Sequence, residues 1–211
     1  MNARRILTAL VVSSIGLGYS TLASAHRLDE YLQATRLLID IDRVTLDVDL
    51  TPGVSVASQV IAWIDTTRDG QISDVERAAY AEDMLASVRL SVDGRPAPLT
   101  LVDSQFPDVR DMSLGVGTIR LRAIAKLPPA AFGRHQLSCV NTHRSEASVY
   151  LVNALVPADR RVQIAGQRRD AAQHGLIVDY EVLPDAAWTR SSSLLIALAA
   201  IAVLGIVRRP D

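Results

Sequence analysis

The chain has 211 residues, with 22 basic and 23 acidic side chains and a net charge of −1. That balance argues against a nucleic-acid binder, which shows a basic surplus. Cys139 is the only cysteine, so neither an intrachain disulfide nor a cysteine-based zinc site can form; a small buried apolar residue is the simpler role for it.

Residues 1–25 read as a signal peptide. Arg4 and Arg5 form a basic start, Ile6 to Leu17 is mostly apolar, and Ala23-Ser24-Ala25 matches a signal peptidase site. The alternative, a first transmembrane helix, is weaker. The run falls short of the ~20 apolar residues a span needs, and Gly16, Gly18 and Ser20 dilute it. No cysteine follows the run, so lipid modification of the N-terminus is not expected.

His26 to Asp185 is then one exported domain, long enough for a core of its own. In Val44–Thr51, Val44, Leu46, Val48 and Leu50 alternate with Thr45, Asp47 and Asp49, which predicts a half-buried strand with the acids on a solvated face. Gln33–Ile41 is its predicted hairpin partner through Asp42-Arg43. Thr51-Pro52-Gly53 breaks the pattern, and helical spacing follows at Val56, Val60, Trp63 and Ile64, then at Val75, Ala79, Met84, Leu85 and Val88. Leu90-Ser91-Val92 turns at Asp93-Gly94 toward Leu99–Val102 as a second hairpin. Further strands are predicted at Gly115–Ala125, Gln136–Asn141, Ser148–Leu155 and Leu176–Val182, with Ala158–Gly175 as loop and short strand. The fold class is mainly β, an antiparallel sandwich with a helix–loop–helix inserted at 54–88.

Residues 191–207 read as a C-terminal transmembrane helix. Ser191-Ser192-Ser193 leads into an apolar run from Leu194 to Val207 that has no polar face and is closed by Arg208-Arg209. The arginines are expected to stay cytoplasmic, with Trp188 at an interface and the body in the periplasm or outside the cell. Such a chain meets a membrane through one helix and leaves room for a membrane-protein partner.

The chemistry concentrates in Asp65-Thr66-Thr67-Arg68-Asp69-Gly70-Gln71-Ile72-Ser73-Asp74-Val75-Glu76. This segment resembles an EF-hand loop. The resemblance implies that Asp65, Thr67 and Asp69 hold Ca²⁺ from positions 1, 3 and 5, with Gly70 at the sharp bend. Gln71 would contribute its carbonyl, Ser73 a direct or water-mediated contact, and Glu76 both carboxylate oxygens. Ile72 sits at the position that pairs two such loops. Thr67 departs from the usual Asp or Asn, Arg68 offsets the charge, and no second loop follows, so binding is expected to be weak, with Kd ~10⁻⁴–10⁻³ M. Ser73 and Glu76 also form a capping box, which would support the second helix without an ion.

A second resemblance rests on Ala25-His26 with Leu28-Asp29-Glu30-Tyr31-Leu32, and on Ser148-x-Tyr150 with Asn153-Ala154-Leu155. These segments resemble exported domains of urease/hydrogenase accessory proteins and nickel–cobalt permeases. This chain ends after one predicted helix, so transport does not follow. Cleavage after Ala25 would make His26 the first residue, whose α-amine and imidazole can chelate Cu(II) or Ni(II), with a third ligand from His143 or His135. Otherwise His135, His143 and His174 read as exposed or loop residues. No HExxH, Gly-rich phosphate loop or nucleophile elbow occurs, and the sequence points to no enzyme.

Overall fold

A computed structural model describes residues 29–128 and 131–184. The segment expected to be a signal peptide, His26 and the segment 191–207 expected to span a membrane lie outside the described residues. Among those described, no helix is long and apolar enough to cross a membrane.

The chain is mainly β. Its strands are β1 Tyr31–Ile39, β2 Arg43–Pro52, β3 Val88–Val92, β4 Arg95–Pro96, β5 Thr100–Gln105, β6 Ile119–Lys126, β7 Gly133–Asn141, β8 Ser148–Ala154, β9 Val162–Arg169 and β10 Gly175–Val182. Helices α1 Ala57–Ile64 and α2 Asp74–Ala86 join β2 to β3, and a short α3, Val109–Ser113, precedes β6. One sheet runs β5-β6-β2-β1-β8 and the other β4-β3-β7-β10-β9.

Alternation builds the interior. Buried and half-buried residues alternate without a break along β1. In β2 the inward set is Val44, Leu46, Val48 and Leu50, as the period-two reading expected. Leu137, Cys139, Leu176, Val178 and Val182 of the second sheet join these residues in one hydrophobic cluster, to which Val60, Ile64 and Met84 of the helices also belong. Cys139 is buried as expected, and that burial pushes its thiol up to about 12. On the outward face Asp47 pairs with Arg122 at 2.6 Å and Asp49 with Arg36 at 2.9 Å, so these acids are surface charges.

Three features differ from the sequence expectations. Asp93 and Gly94, both at positive φ (51° and 75°), make the expected two-residue turn, but it returns only to Arg95 and Pro96. Pro96 and Pro98 have no N–H to extend a ladder, and the chain crosses to the other sheet, where β5 pairs with β6. The pairing of β8 with β1 is parallel, Tyr31 opposite Ser148, because β8 enters from the second sheet at the end where β1 begins. Finally, β9 is a full strand where loop and short strand were expected.

The outer strand β8 does not expose its whole edge. The Gln167 side chain donates to Ala154 O and accepts from Ala154 N, each at 3.1 Å, and Arg169 Nε donates to Val152 O at 2.6 Å. Side chains of β9 thus occupy backbone positions that a further strand would use.

The two ends of the body differ. The starts of β1 and β8 and the end of β2 share one end with both inserted helices. At the other end lie the Asp40–Asp42 hairpin, the Asp93-Gly94 turn, the starts of β7 and β9, and the exit from β10 at Val182.

Candidate functional site

The 65–76 loop is built by its own polar side chains. Helix α1 ends as Asp65 N–H donates to Ile61 O at 2.8 Å. Asp65 then accepts from Asp69 N at 3.2 Å and from Gly70 N at 2.9 Å, folding the chain around its carboxylate. Gly70 has φ of 80°, which glycine adopts without steric penalty. Arg68 is also at positive φ, 60°. Gln71 N donates to Asp69 Oδ1 at 2.8 Å, and Ser73 opens α2 as its N-cap.

Glu76 ties the loop to α2. Its Oε1 accepts from Thr67 N at 3.0 Å, Thr67 Oγ1 at 3.1 Å and Thr66 Oγ1 at 3.2 Å. Its Oε2 accepts from Ser73 N at 3.0 Å and Ser73 Oγ at 2.8 Å, completing the expected capping box. These donors, led by the Thr67 backbone N–H, hold the Glu76 carboxyl down at about 2. The group is ionised throughout the physiological range.

The two ends of the loop meet at Thr67. Its hydroxyl lies 3.3 Å from Asp65 Oδ1 and 3.1 Å from Glu76 Oε1, and its one proton can serve only one of them at a time. Asp65 and Glu76 are only 5% and 6% exposed, yet neither forms an ion pair among the described residues. Buried carboxylates are ordinarily paired with cations or coordinated to metal. The donors here are all oxygens, the chemistry that a hard divalent cation takes. Asp69 stands apart, exposed and engaged with Gln71 N. No group of three or more His, Cys, Asp and Glu side chains able to hold a metal occurs among the described residues. The set therefore rests on two carboxylates plus the oxygens of Thr67 and Ser73.

Ile72 is 8% exposed and belongs to the main hydrophobic cluster. Ile72 thus anchors the loop to the core of the body. Helix α2 packs through Tyr80, Ala81 and Met84, whereas Val75 is 78% exposed and Ala79 is exposed too. The face expected from Val75 and Ala79 is turned outward, because Glu76 and Tyr80 take the inward positions.

Beside the loop lies a buried polar network that the sequence reading missed. The hydroxyls of Tyr31 and Tyr80 are 2.6 Å apart, and Tyr80 OH is 3.1 Å from His143 Nε2. Gln33 Nε2 donates to His143 O and Ser148 Oγ, both at 2.7 Å, and Tyr150 OH donates to the same His143 carbonyl at 2.7 Å. Asn141 closes the set, donating to Gln33 Oε1 at 2.9 Å and accepting from His143 N at 3.0 Å. The available signal was parity: Tyr31, Gln33 and Thr35 share the inward face of β1 with Leu37 and Ile39, and polar groups there require partners.

His143 corrects an expectation. It is 1% exposed, since α2 and β1 cover its loop. Burial, reinforced by Arg144, lowers the imidazole to about 4, so it is neutral at physiological pH. Its 3.9 Å approach to Asp83 is therefore not an ion pair; Asp83 pairs with Arg144 at 3.0 Å. Arg144 also covers the Trp63 ring at 4.8 Å. A cleft of about 190 Å³ lined by Trp63, Thr66, Glu76, Tyr80, Asp83 and Arg144 joins this network to the loop. His135 lies at the opposite end, held by Asp93 and Ala131 O at 2.7 Å each. Its hydrogen bond to Asp93 raises its pKa. His174 is half-buried against the Tyr150 ring. His143 and His135 are thus at opposite ends of the body, and His26 is outside the described residues.

No family model, no curated protein and no solved structure matches the chain.

Proposed function

We propose that this chain is an exported calcium-binding module: a β-sandwich with one EF-hand-like loop, held to a membrane by a C-terminal transmembrane helix. Its role is structural or binding, without catalysis. The observation that carries the reading is the pair of buried carboxylates, Asp65 and Glu76, bridged by the Thr67 hydroxyl and lacking a basic partner among the described residues. A cation there offsets their repulsion and fixes the join between α1 and α2. Titration calorimetry should give one Ca²⁺ site with Kd ~10⁻⁴–10⁻³ M, lost in Asp65→Ala and Glu76→Ala. Equal heat from wild type and Glu76→Ala overturns the reading.

A second reading, an accessory domain of a Ni, Co or Cu transport system using His26, draws support from the β1–β8 register. That register sets its two characteristic segments side by side, Tyr31 opposite Ser148. Mass spectrometry of the mature N-terminus tests it. A start at any residue other than His26 removes the proposed chelate.

A further inference from the structure

Both ends of the body expose apolar side chains. At the helix end Val75, Leu114 and Val116 stand with exposed acids such as Asp69, Asp74, Asp108 and Asp111, whereas the end from which β10 exits is richer in cations. Phe132 is 60% exposed and Val156 is 89% exposed there. Exposed cations surround them: Arg95, Lys126, Arg134 and Arg160. Acids are present too, but Asp42 pairs with Arg43, Asp93 with His135, Asp159 with Arg161 and Asp179 with Arg168. Among the described residues the four cations then share this end with Asp40 and Glu181, and Arg95 also acts on Asp93. A groove of about 450 Å³ opens at the same end between Arg95 and Lys126, floored by Val92, Leu127 and Pro128.

Aromatic and aliphatic tips set among cations suit the boundary between acyl chains and charged headgroups. The occupant is set by where the chain goes next. Leu183 N–H donates to Arg161 O at 2.7 Å, fixing the exit beside Arg160. Residues 185–193 then separate it from the apolar run that begins at Leu194. Even fully extended at ~3.5 Å per residue, they reach only about 35 Å. We infer that this end docks on the anionic phospholipid headgroups of the membrane holding the apolar segment, with Phe132 and Val156 entering the interface and Arg95, Lys126, Arg134 and Arg160 meeting phosphates. The inference rests on the anchored reading above and adds an orientation to it: the 65–76 loop faces away from the lipid.

The full chain, reconstituted in vesicles of phosphatidylglycerol and phosphatidylethanolamine, tests this. A fluorophore is placed at Ala131→Cys or, at the opposite end, at Val116→Cys; Cys139 is buried and its thiol is raised to about 12, so it stays unlabelled. Quenching by headgroup-nitroxide lipid should be several-fold stronger at 131 than at 116. It should fall to the 116 level in phosphatidylcholine vesicles, in Arg95→Glu/Lys126→Glu/Arg160→Glu, and between ~0.1 M and ~1 M salt, where the Debye length shrinks from about 10 Å to about 3 Å. Equal quenching at both positions overturns the docking and leaves the anchor intact. Shielding of 131 only at high protein-to-lipid ratio assigns the face to a second copy and also overturns it. Release of the chain by alkaline wash overturns the anchor, and the docking with it.

Discussion

The Nε2 atom of His143 meets the Tyr80 hydroxyl at 3.1 Å inside the protein, joining the loop that crosses between the two sheets to the helix that follows the 65–76 loop. Burial, with Arg144 alongside, keeps this imidazole neutral, its pKa lowered from 6.5 to about 4. Below pH 6.5 the unfolded chain binds a proton that the folded chain refuses. Stability present above 6.5 is therefore lost as pH falls toward 4, by about 3 kcal/mol at the limit. Urea midpoints at pH 7.5 and 4.5 should separate in the wild type and converge in His143→Gln. An unchanged separation in the variant would assign the loss to another group.

Tyr80→Phe keeps the ring and removes the hydroxyl that both Tyr31 and His143 meet. Leaving those buried groups short of a partner should destabilise the fold by about 1–3 kcal/mol. The first signs should be protease sensitivity at residues 142–147 and in α2. A variant as stable as wild type would mean the hydroxyl chain contributes nothing net.

Glu76 acts in a lower pH window. Its carboxyl is held at about 2 against an ordinary 4.5, so its contribution is complete above pH 4.5 and fades as pH drops toward 2. Acid unfolding followed by circular dichroism should lose part of its steepness in that window in Glu76→Gln. Identical acid profiles would place the sensitivity elsewhere.

Thr67→Asp sets a third carboxylate between Asp65 and Glu76. Without calcium the loop should be destabilised by the added charge; with calcium, affinity should rise by about tenfold. Melting temperatures with and without millimolar Ca²⁺ read both effects, which have opposite signs. Movement in the same direction under both conditions would show that position 67 does not face an ion.

Local features were the legible ones. The β2 alternation, the Asp93-Gly94 turn and the Ser73–Glu76 capping box each lie within a few residues of sequence, and each appears as expected. The destination of β5 was not legible, because its partner β6 is chosen by the sheet and not by the turn before it. The β9 strand was obscured by its polar composition, an outer strand whose side chains largely face solvent. In the loop, residue order singled out Asp65 and Glu76 as candidates, but gave neither their burial nor the bracing of Ile72 by the core. His143 became a buried residue only once α2 and β1 closed over it.

Gln167 imitates a stretch of main chain: one amide side chain satisfies both the N–H and the C=O of Ala154. For a body tethered as proposed, neighbours share a plane and collide far more often than in solution. Strand-by-strand growth along β8 would then be one hazard of crowding, and an arriving segment must first break both Gln167 bonds and the Arg169 contact to Val152. For copies held on one surface, the lock would slow fusion along this edge.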